Sequence, residues 1–535
     1  MQIPALDYQK FAKISGGALA FGIIYGFLLF PNILHFAIKY MVQLRPGSRT
    51  REQLYLPIPF DIEFTISVWN ITNPEEVQNG AVPIVKEVGP YYFLERKLKY
   101  DVEDDDEADT LSFDQKNTFY FQANKTLPLT GKEIVTIPHL VIQMGLLMIQ
   151  RDQAPLLPLA VKGLNELFEN PTSPYFTEKV EDLLFYGVPI NCDVDGFEAK
   201  SVCSALEDTM GESAVLNDTH LGISLFKSQN GTSTGRFTVY RGMKNISDTG
   251  RMVAFNGETE NDVFNGDECN ELRGTDALFF PPFLKRDDTI WAFSAQSCRS
   301  FGFRYKEDSS YKGVALKRFS INFNKDDPDC FCRDPDECPP EGVIDMSMCL
   351  QAPLLASKPH FLHADPILRE KVHGFTPNEE LHEFLVDFDL FAGAALNARV
   401  AIQFNLDMTA VEEFEPMANL PSVYMPIFWI TEAIALNKTF VYQFKALHFG
   451  QHLNSFIKYV VVTLGLLGTG GFTFLAFNSG ETPVDEQVIV EREAPQSSKM
   501  YPDEAEVEKG TLDSMMDFKD KIAAKFGFSD DEKNS

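Results

Sequence analysis

The stretch Ile14–Ile38, ISGGALAFGIIYGFLLFPNILHFAI, carries no Asp, Glu, Lys or Arg and is bracketed by Lys13 and Lys39. A second stretch, Tyr459–Gly480, YVVVTLGLLGTGGFTFLAFNSG, repeats the pattern between Lys458 and Glu481. A helix crosses roughly 30 Å of hydrocarbon with about 20 apolar residues, so each run is long enough to span a membrane. The first run is longer than a signal h-region of roughly 7–15 residues, and Phe36-Ala37-Ile38-Lys39-Tyr40 makes a poor cleavage site. We therefore read it as an uncut anchor. Two anchors divide the chain into an N-terminal tail (1–13), a first span (14–38), one large loop (39–458), a second span (459–480) and an acidic C-terminal tail (481–535). Within the first span, Gly22-Ile-Ile-Tyr-Gly26 has the small-xxx-small spacing that lets membrane helices approach closely.

Lysine and arginine do not orient these spans, because Lys10 and Lys13 on one flank compete with Lys39, Arg45, Arg49 and Arg51 on the other. The sequons do. Asn70, Asn124, Asn217, Asn230, Asn245 and Asn437 each begin an N-x-[ST] triplet, all lie in the loop, and neither tail holds one. The eight cysteines, Cys192, Cys203, Cys269, Cys298, Cys330, Cys332, Cys338 and Cys349, also fall in the loop. An even number in an oxidising compartment reads as a disulfide framework, for which eight cysteines leave 105 pairings open. The loop is thus expected outside the cytosol, with both termini cytoplasmic.

The formal charge of −30 opposes binding to nucleic acid, whose phosphates require a basic surface, and opposes docking of the loop on anionic lipid. No phosphate-binding glycine loop, H-E-x-x-H or G-x-S-x-G occurs, so no enzyme chemistry, metal or cofactor is implied. His360 and His363 are three apart but adjoin Pro359, a poor helix for metal ligation. Glu380 and Glu383 around His382 read as a charged helix face.

Along the loop, Phe64–Trp69 and Asn117–Phe121 are strand-like, rich in β-branched and aromatic residues, with turns at Asn79-Gly80 and Gly89-Pro90. The acidic run Asp101–Asp109 reads as a solvated loop. Between His139 and Gly187 helices are expected at 140–149, at 158–168 and at 177–186, the last with Thr177 as N-cap. Strands return at 235–240, 289–293 and 398–405. In the tail, Thr511–Phe528 could form an amphipathic helix. The fold class is therefore α+β: a membrane protein with two transmembrane helices and a mainly antiparallel β ectodomain carrying one helical cluster.

A family becomes recognisable in the ordered motifs. Asn73-Pro74-Glu75, Gly89-Pro90-Tyr91, Cys269-Asn270, Gly274-Thr275-Asp276, Pro281-Pro282-Phe283, Cys298-Arg299-Ser300, Cys330-x-Cys332…Cys338…Gly342-Val-Ile-Asp345…Cys349, Pro359-His360-Phe361, Gln403-Phe-Asn405 and Pro426-Ile-Phe-Trp429 together resemble the class B scavenger receptor family from about Ile14 to Phe477. Cys192…Phe197-Glu-Ala-Lys…Cys203, Gly235-Arg-Phe-Thr-Val and Gln403-Phe-Asn-Leu-Asp-Met408 resemble its insect sensory-neuron branch.

The resemblance implies an antiparallel β barrel with a helical apex and an internal tunnel leading to the lipid surface. It implies the pairs Cys269–Cys330, Cys298–Cys349 and Cys332–Cys338, which leaves Cys192–Cys203. It implies a cell-surface receptor or co-receptor of the plasma membrane of olfactory sensory neurons. Such a receptor would take a hydrophobic small molecule, a pheromone or fatty-acid derivative, at the apex and pass it to the bilayer or to an odorant-receptor channel complex. The expected points of ligand admission are Leu146, Met148, Phe168 and Phe185. Scaffolding of a receptor complex and general lipid scavenging, as at the lysosome, are the alternatives. One departure stands out. Residues 139–190 hold only Arg151, Lys162 and Lys179 against six acids, so this apex repels anionic particles while tolerating neutral apolar chains.

Overall fold

A computed structural model of the protein describes residues 7–60, 62–211, 214–323 and 327–478. The acidic tail, with the amphipathic stretch expected at 511–528, lies outside the described residues, as do residues 1–6 and the last two residues of the second span. The described chain forms two compact units: residues 7–12 with 470–478, where the Phe11 and Phe472 rings meet at 5.4 Å, and residues 13–469, to which everything below belongs.

Both apolar runs form helices longer than the spans read from sequence. Helix α1 (Tyr8–Val42) passes through a π-helical stretch at Ile24–Leu29. The last helix runs from Lys438 to Asn478, 41 residues, so about half of it precedes Tyr459. Asn437 caps it, its side-chain oxygen accepting the amides of Thr439 and Phe440 at 3.0 and 3.2 Å. His448, on the part ahead of the span, donates through Nε2 to the buried Asp389 carboxylate at 2.5 Å. Gly22 and Gly26 are used within the molecule. A Cβ on Gly22 would lie 2.9 Å from Val461, and one on Gly26 would lie 2.4 Å from Lys458, while Gly465 abuts Leu19 at 2.8 Å. Scaffolding of a partner through those two glycines therefore loses its surface, because the second membrane helix already covers them.

The strands, in chain order, are β1 (Ile62–Ile71), β2 (Val85–Asp105), β3 (Thr110–Phe121), β4 (Ile134–Pro138), β5 (Tyr175–Lys179) and β6 (Val188–Asn191). They continue with β7 (Val215–Asn217), β8 (His220–Ile223), β9 (Ser233–Tyr240), β10 (Met252–Phe255), β11 (Ile290–Ser294) and β12 (Arg299–Tyr311). The last six are β13 (Val314–Ser320), β14 (Val343–Asp345), β15 (Leu354–Ser357), β16 (Leu385–Asp389), β17 (Ala394–Met408) and β18 (Val423–Ala435). Among the described residues, thirteen of them form one antiparallel sheet in the order β10-β9-β3-β2-β1-β18-β17-β16-β13-β12-β11, with β14 and β15 beside β17.

The two edges of this sheet meet at Gly274-Thr275-Asp276. Thr275 bridges Arg251, next to β10, and Ala292 in β11. The amide of Met252 donates to Gly274 at 2.8 Å, and that of Phe293 donates to Thr275 at 2.8 Å. Gly274 has φ +81°, and a Cβ there would sit 1.9 Å from the Trp291 carbonyl, so only glycine allows the closure. Asp276, buried beneath it, accepts from Tyr55 Oη at 2.9 Å and Lys99 Nζ at 2.5 Å. The barrel of the fold class is thus nearly closed, and a signature tripeptide supplies the clasp.

The other signature motifs are structural in the same way. Gln403 accepts from Trp69 Nε1 (3.2 Å) and the His360 amide (2.9 Å), then donates to Asn405 (2.8 Å), whose amide reaches Ser357 (3.1 Å). This buried chain satisfies its polar groups mutually, as buried networks must. Four disulfides, Cys192–Cys203, Cys269–Cys330, Cys298–Cys349 and Cys332–Cys338, tie loops that carry little apolar core of their own.

One local expectation is overturned and another is refined. The stretch 177–186 is not one helix: Thr177 lies in β5, paired with Thr136 of β4, and only Asp182–Tyr186 coils, as a π-turn. The run Asp101–Asp109 is solvated as expected, apart from the buried Asp109, but it is paired and not a free loop. It forms the β2–β3 hairpin, whose carboxylates hold arginines that sequence could not assign to them: Asp104 takes Arg51 at 2.7 Å, and the buried Asp109 takes Arg241 at 3.3 Å.

Candidate functional site

Period-two alternation makes β2 and β3 one-sided, with Tyr91, Phe93, Glu95, Lys97 and Lys99 turned opposite to Tyr92, Leu94, Arg96, Leu98 and Tyr100. The odd set is the less exposed one, as are Phe113 to Phe119 in β3. Where this inner face reaches the π-turn Asp182–Tyr186, it encloses a cavity of about 200 Å³. Phe93, Phe119, Phe121 and Phe185 wall it, Leu184 and Val180 back it, and Thr130, Gly131, Glu181 and Asn230 rim it. The rings continue inward in contact: Phe93–Phe185 at 5.0 Å, Phe119–Phe64 at 4.8 Å, Phe185–Phe226 at 5.8 Å and Phe226–Phe428 at 5.5 Å. Such tilted and edge-on aromatic contacts make an apolar wall that needs no polar partner from a ligand. At its edge Tyr91 Oη donates to Glu133 at 2.8 Å, and burial with this bond raises the phenol pKa well above its ordinary value.

Three helices share the hydrophobic core with this wall: α2 (Leu140–Asp152), α3 (Leu157–Leu167) and α4 (Phe197–Met210). Their apolar residues bury Leu146, Leu147, Leu157, Leu164 and Ala199 in the same core as Phe64 and Phe93. Three of the cations in this region are paired within the molecule. Arg151 pairs with Asp152 (3.1 Å), Lys162 with Glu198 (2.5 Å) and Lys179 with Asp182 (3.9 Å).

The four expected admission residues fare differently. Phe185 walls the cavity. Met148 is half-buried on α2 away from the lining set, and Phe168 is packed under the His139 ring at 4.6 Å. Leu146 is wholly buried and is a core residue, not a surface of admission. Sequence reading missed Phe93, Phe119 and Phe121, because Glu95 and Lys97 share a face with Phe93 while Arg96 lies on the other, which hides the inward side of the strand. The sequon asparagines Asn124, Asn217, Asn230, Asn245 and Asn437 are exposed, whereas Asn70 is half-buried in β1 and accepts the Thr136 amide at 2.8 Å.

A second cavity, about 270 Å³, lies among Trp291, Arg299, Arg273 and Asp327. Its charges are committed, Arg299 to Asp327 at 2.8 Å and Arg273 to Glu271 at 2.7 Å, so it is larger but suits an apolar chain less. Among the described residues no group of three or more His, Cys, Asp or Glu stands where it could hold a metal ion. His360 and His363 instead bond to Glu87 and Glu379, each at 3.2 Å. The charged helix face expected around His382 holds only in part: Glu380 is exposed on the short helix Glu379–His382, whereas Glu383 lies beyond it, buried between Lys358 and Lys306.

Comparison with known proteins now bears on this geometry. Residues 14–476 match the family model described as CD36 family. The chain belongs to the CD36 family. Among curated relatives it is 40% identical over 511 residues to sensory neuron membrane protein 1 of Anopheles gambiae, covering 93% of each chain. It is 43% identical over 441 residues to the protein of the same name from Aedes aegypti (81% of each chain) and 39% identical over 481 residues to that of Plutella xylostella (88% of this chain, 91% of the relative). This CD36-family chain is a membrane receptor of the scavenger class, related to membrane proteins of sensory neurons.

Proposed function

We propose that the chain is a non-enzymatic receptor that captures long, apolar molecules such as fatty-derived pheromones. They would be taken into the aromatic cavity and conveyed along the barrel interior to the bilayer or to an adjacent odorant-receptor channel. The loop 39–458 faces outward from the plasma membrane of a sensory neuron, and both termini are cytoplasmic. The observation that carries the reading is the cavity at Phe93, Phe119, Phe121 and Phe185, apolar on its walls, in a region where Arg151, Lys162 and Lys179 are each paired with a carboxylate. Burying a methylene gains about 0.8 kcal/mol, so a chain enters such a space without charged contacts. A cavity of about 200 Å³ takes one segment of a long chain. Four disulfides and six sequons in one loop support its extracellular side, and the names of the relatives support the sensory neuron over a general lysosomal scavenger.

The test is closure of the mouth. Thr130 is exposed at the rim, so Thr130→Trp covers the opening without entering the core. Uptake of a fluorescent long-chain alcohol by cells with equal surface levels should fall about tenfold or more, a loss of about 1.4 kcal/mol or more. Unchanged uptake contradicts capture through this cavity.

A further inference from the structure

Beyond the aromatic rungs the inner wall turns polar. The β2–β3 register sets Phe93 opposite Phe121, Glu95 opposite Phe119 and Lys97 opposite Asn117. Residues two apart in a strand share a face, so Glu95, Lys97 and Asn117 stand on the same side as the cavity walls, one and two rungs further in. Glu432 of β18 joins them, since it pairs with Phe64, whose ring meets that of Phe119. Lys97 is bonded to Glu432 and lies 3.7 Å from Glu95 Oε1. Two oxygens are left over. Glu95 Oε2 and Asn117 Oδ1 are shielded from solvent, on side chains whose residues are 2% and 5% exposed; Asn117 Oδ1 meets no hydrogen-bond partner among the described residues, and Glu95 faces only Lys97 and the Glu432 carboxyl. Unpaired buried oxygens are costly, and native proteins keep few without a reason.

We propose that Glu95 and Asn117 form the head-group site for a neutral, hydroxyl-bearing long-chain ligand whose tail occupies the aromatic cavity. This rests on the capture reading above and gives it a substrate class. The neutral Glu95 carboxyl donates its O–H to the ligand oxygen, and the ligand hydroxyl donates to Asn117 Oδ1, so one hydroxyl answers both groups one rung apart. Charge selects against the alternatives. Burial first, and the Glu432 carboxylate second, hold the Glu95 pKa well above the ordinary carboxylate range, while Lys97 is already bonded to Glu432. A ligand carboxylate would bring a further anion to a belt with no free cation. A hydrocarbon would leave both oxygens unpaired.

The experiment uses the full chain in lipid nanodiscs, with hexadecan-1-ol, hexadecane and hexadecanoate competing against a fluorescent long-chain probe. The alcohol should displace the probe at about tenfold lower concentration than either competitor. Glu95→Leu and Asn117→Ala should each erase the preference for alcohol over alkane while alkane displacement persists, and Glu95→Gln should keep it. Equal potency of all three compounds on the wild-type chain overturns this inference alone, as does an undiminished alcohol preference in Glu95→Leu and Asn117→Ala, the result expected if ordered water satisfies the two oxygens. Failure of every compound to displace the probe overturns the capture reading and this inference with it.

Discussion

His382 is held neutral by its surroundings. Its Nδ1 accepts the Asn378 amide at 3.1 Å, and its ring stacks on His360 at 4.1 Å with the planes 6° apart. Burial, then the neighbouring His360, lower its pKa to about 4, with Arg399 adding to this and Glu87 opposing it. His139, buried against Phe168 and Phe176, is lowered to about 4 by burial as well. A histidine free in the unfolded chain titrates near about 6.5. Between these values the unfolded state binds protons that the folded state refuses, so this stability is full above about pH 6.5 and is lost as pH falls toward 4. Thermal denaturation of the protein in nanodiscs should therefore give a midpoint that declines from pH 7.5 to 5, and His382→Gln should flatten the decline. A midpoint independent of pH over that window contradicts the assignment. Sequence could not anticipate this setting. His382 and Glu383 sit among charges in the chain, but their partners are distant in sequence: Glu87 and His360 lie against His382, and Lys358 and Lys306 against Glu383. Glu95 was equally hidden, because alternation reveals two faces of a strand without saying which one turns inward.

Among the elements, the two membrane helices were legible from hydropathy alone, since twenty uncharged residues have few other fates. Their mutual contact was not, because Gly22-x-x-x-Gly26 marks a close approach without naming the neighbour. The neighbour is the second helix, through Val461 and Lys458. Gly26→Leu should thus force the helices apart and lower stability by about 1–3 kcal/mol, the usual range for overpacking. Gly17, whose Cβ position has nothing within 4 Å, supplies the control, and Gly17→Leu should be tolerated. Equal midpoints for the two variants contradict the intramolecular pairing. The stretch 177–186 failed as a helix for a comparable reason: the segment 134–138, some forty residues earlier, offers a strand partner, and pairing overrides local periodicity.

At the scale of the molecule, the barrel was readable only through family motifs, because its closure joins Arg251, Thr275 and Ala292 by single bridges that leave no periodic trace. Composition and spacing found strands, turns and a helical cluster, while the aromatic cavity appears only once β2, β3 and the π-turn at 182–186 are brought together. The central claim is that a long-chain ligand lies within this wall. The measurement that tests it most directly is photolabelling of the full chain in nanodiscs with a diazirine-bearing hexadecanol, followed by peptide mapping. The account predicts label on the segments holding Phe93, Phe119, Phe121 and Phe185, removed by excess unlabelled hexadecanol. Label confined to the membrane helices or to exposed surface, or label that excess alcohol fails to displace, would contradict it.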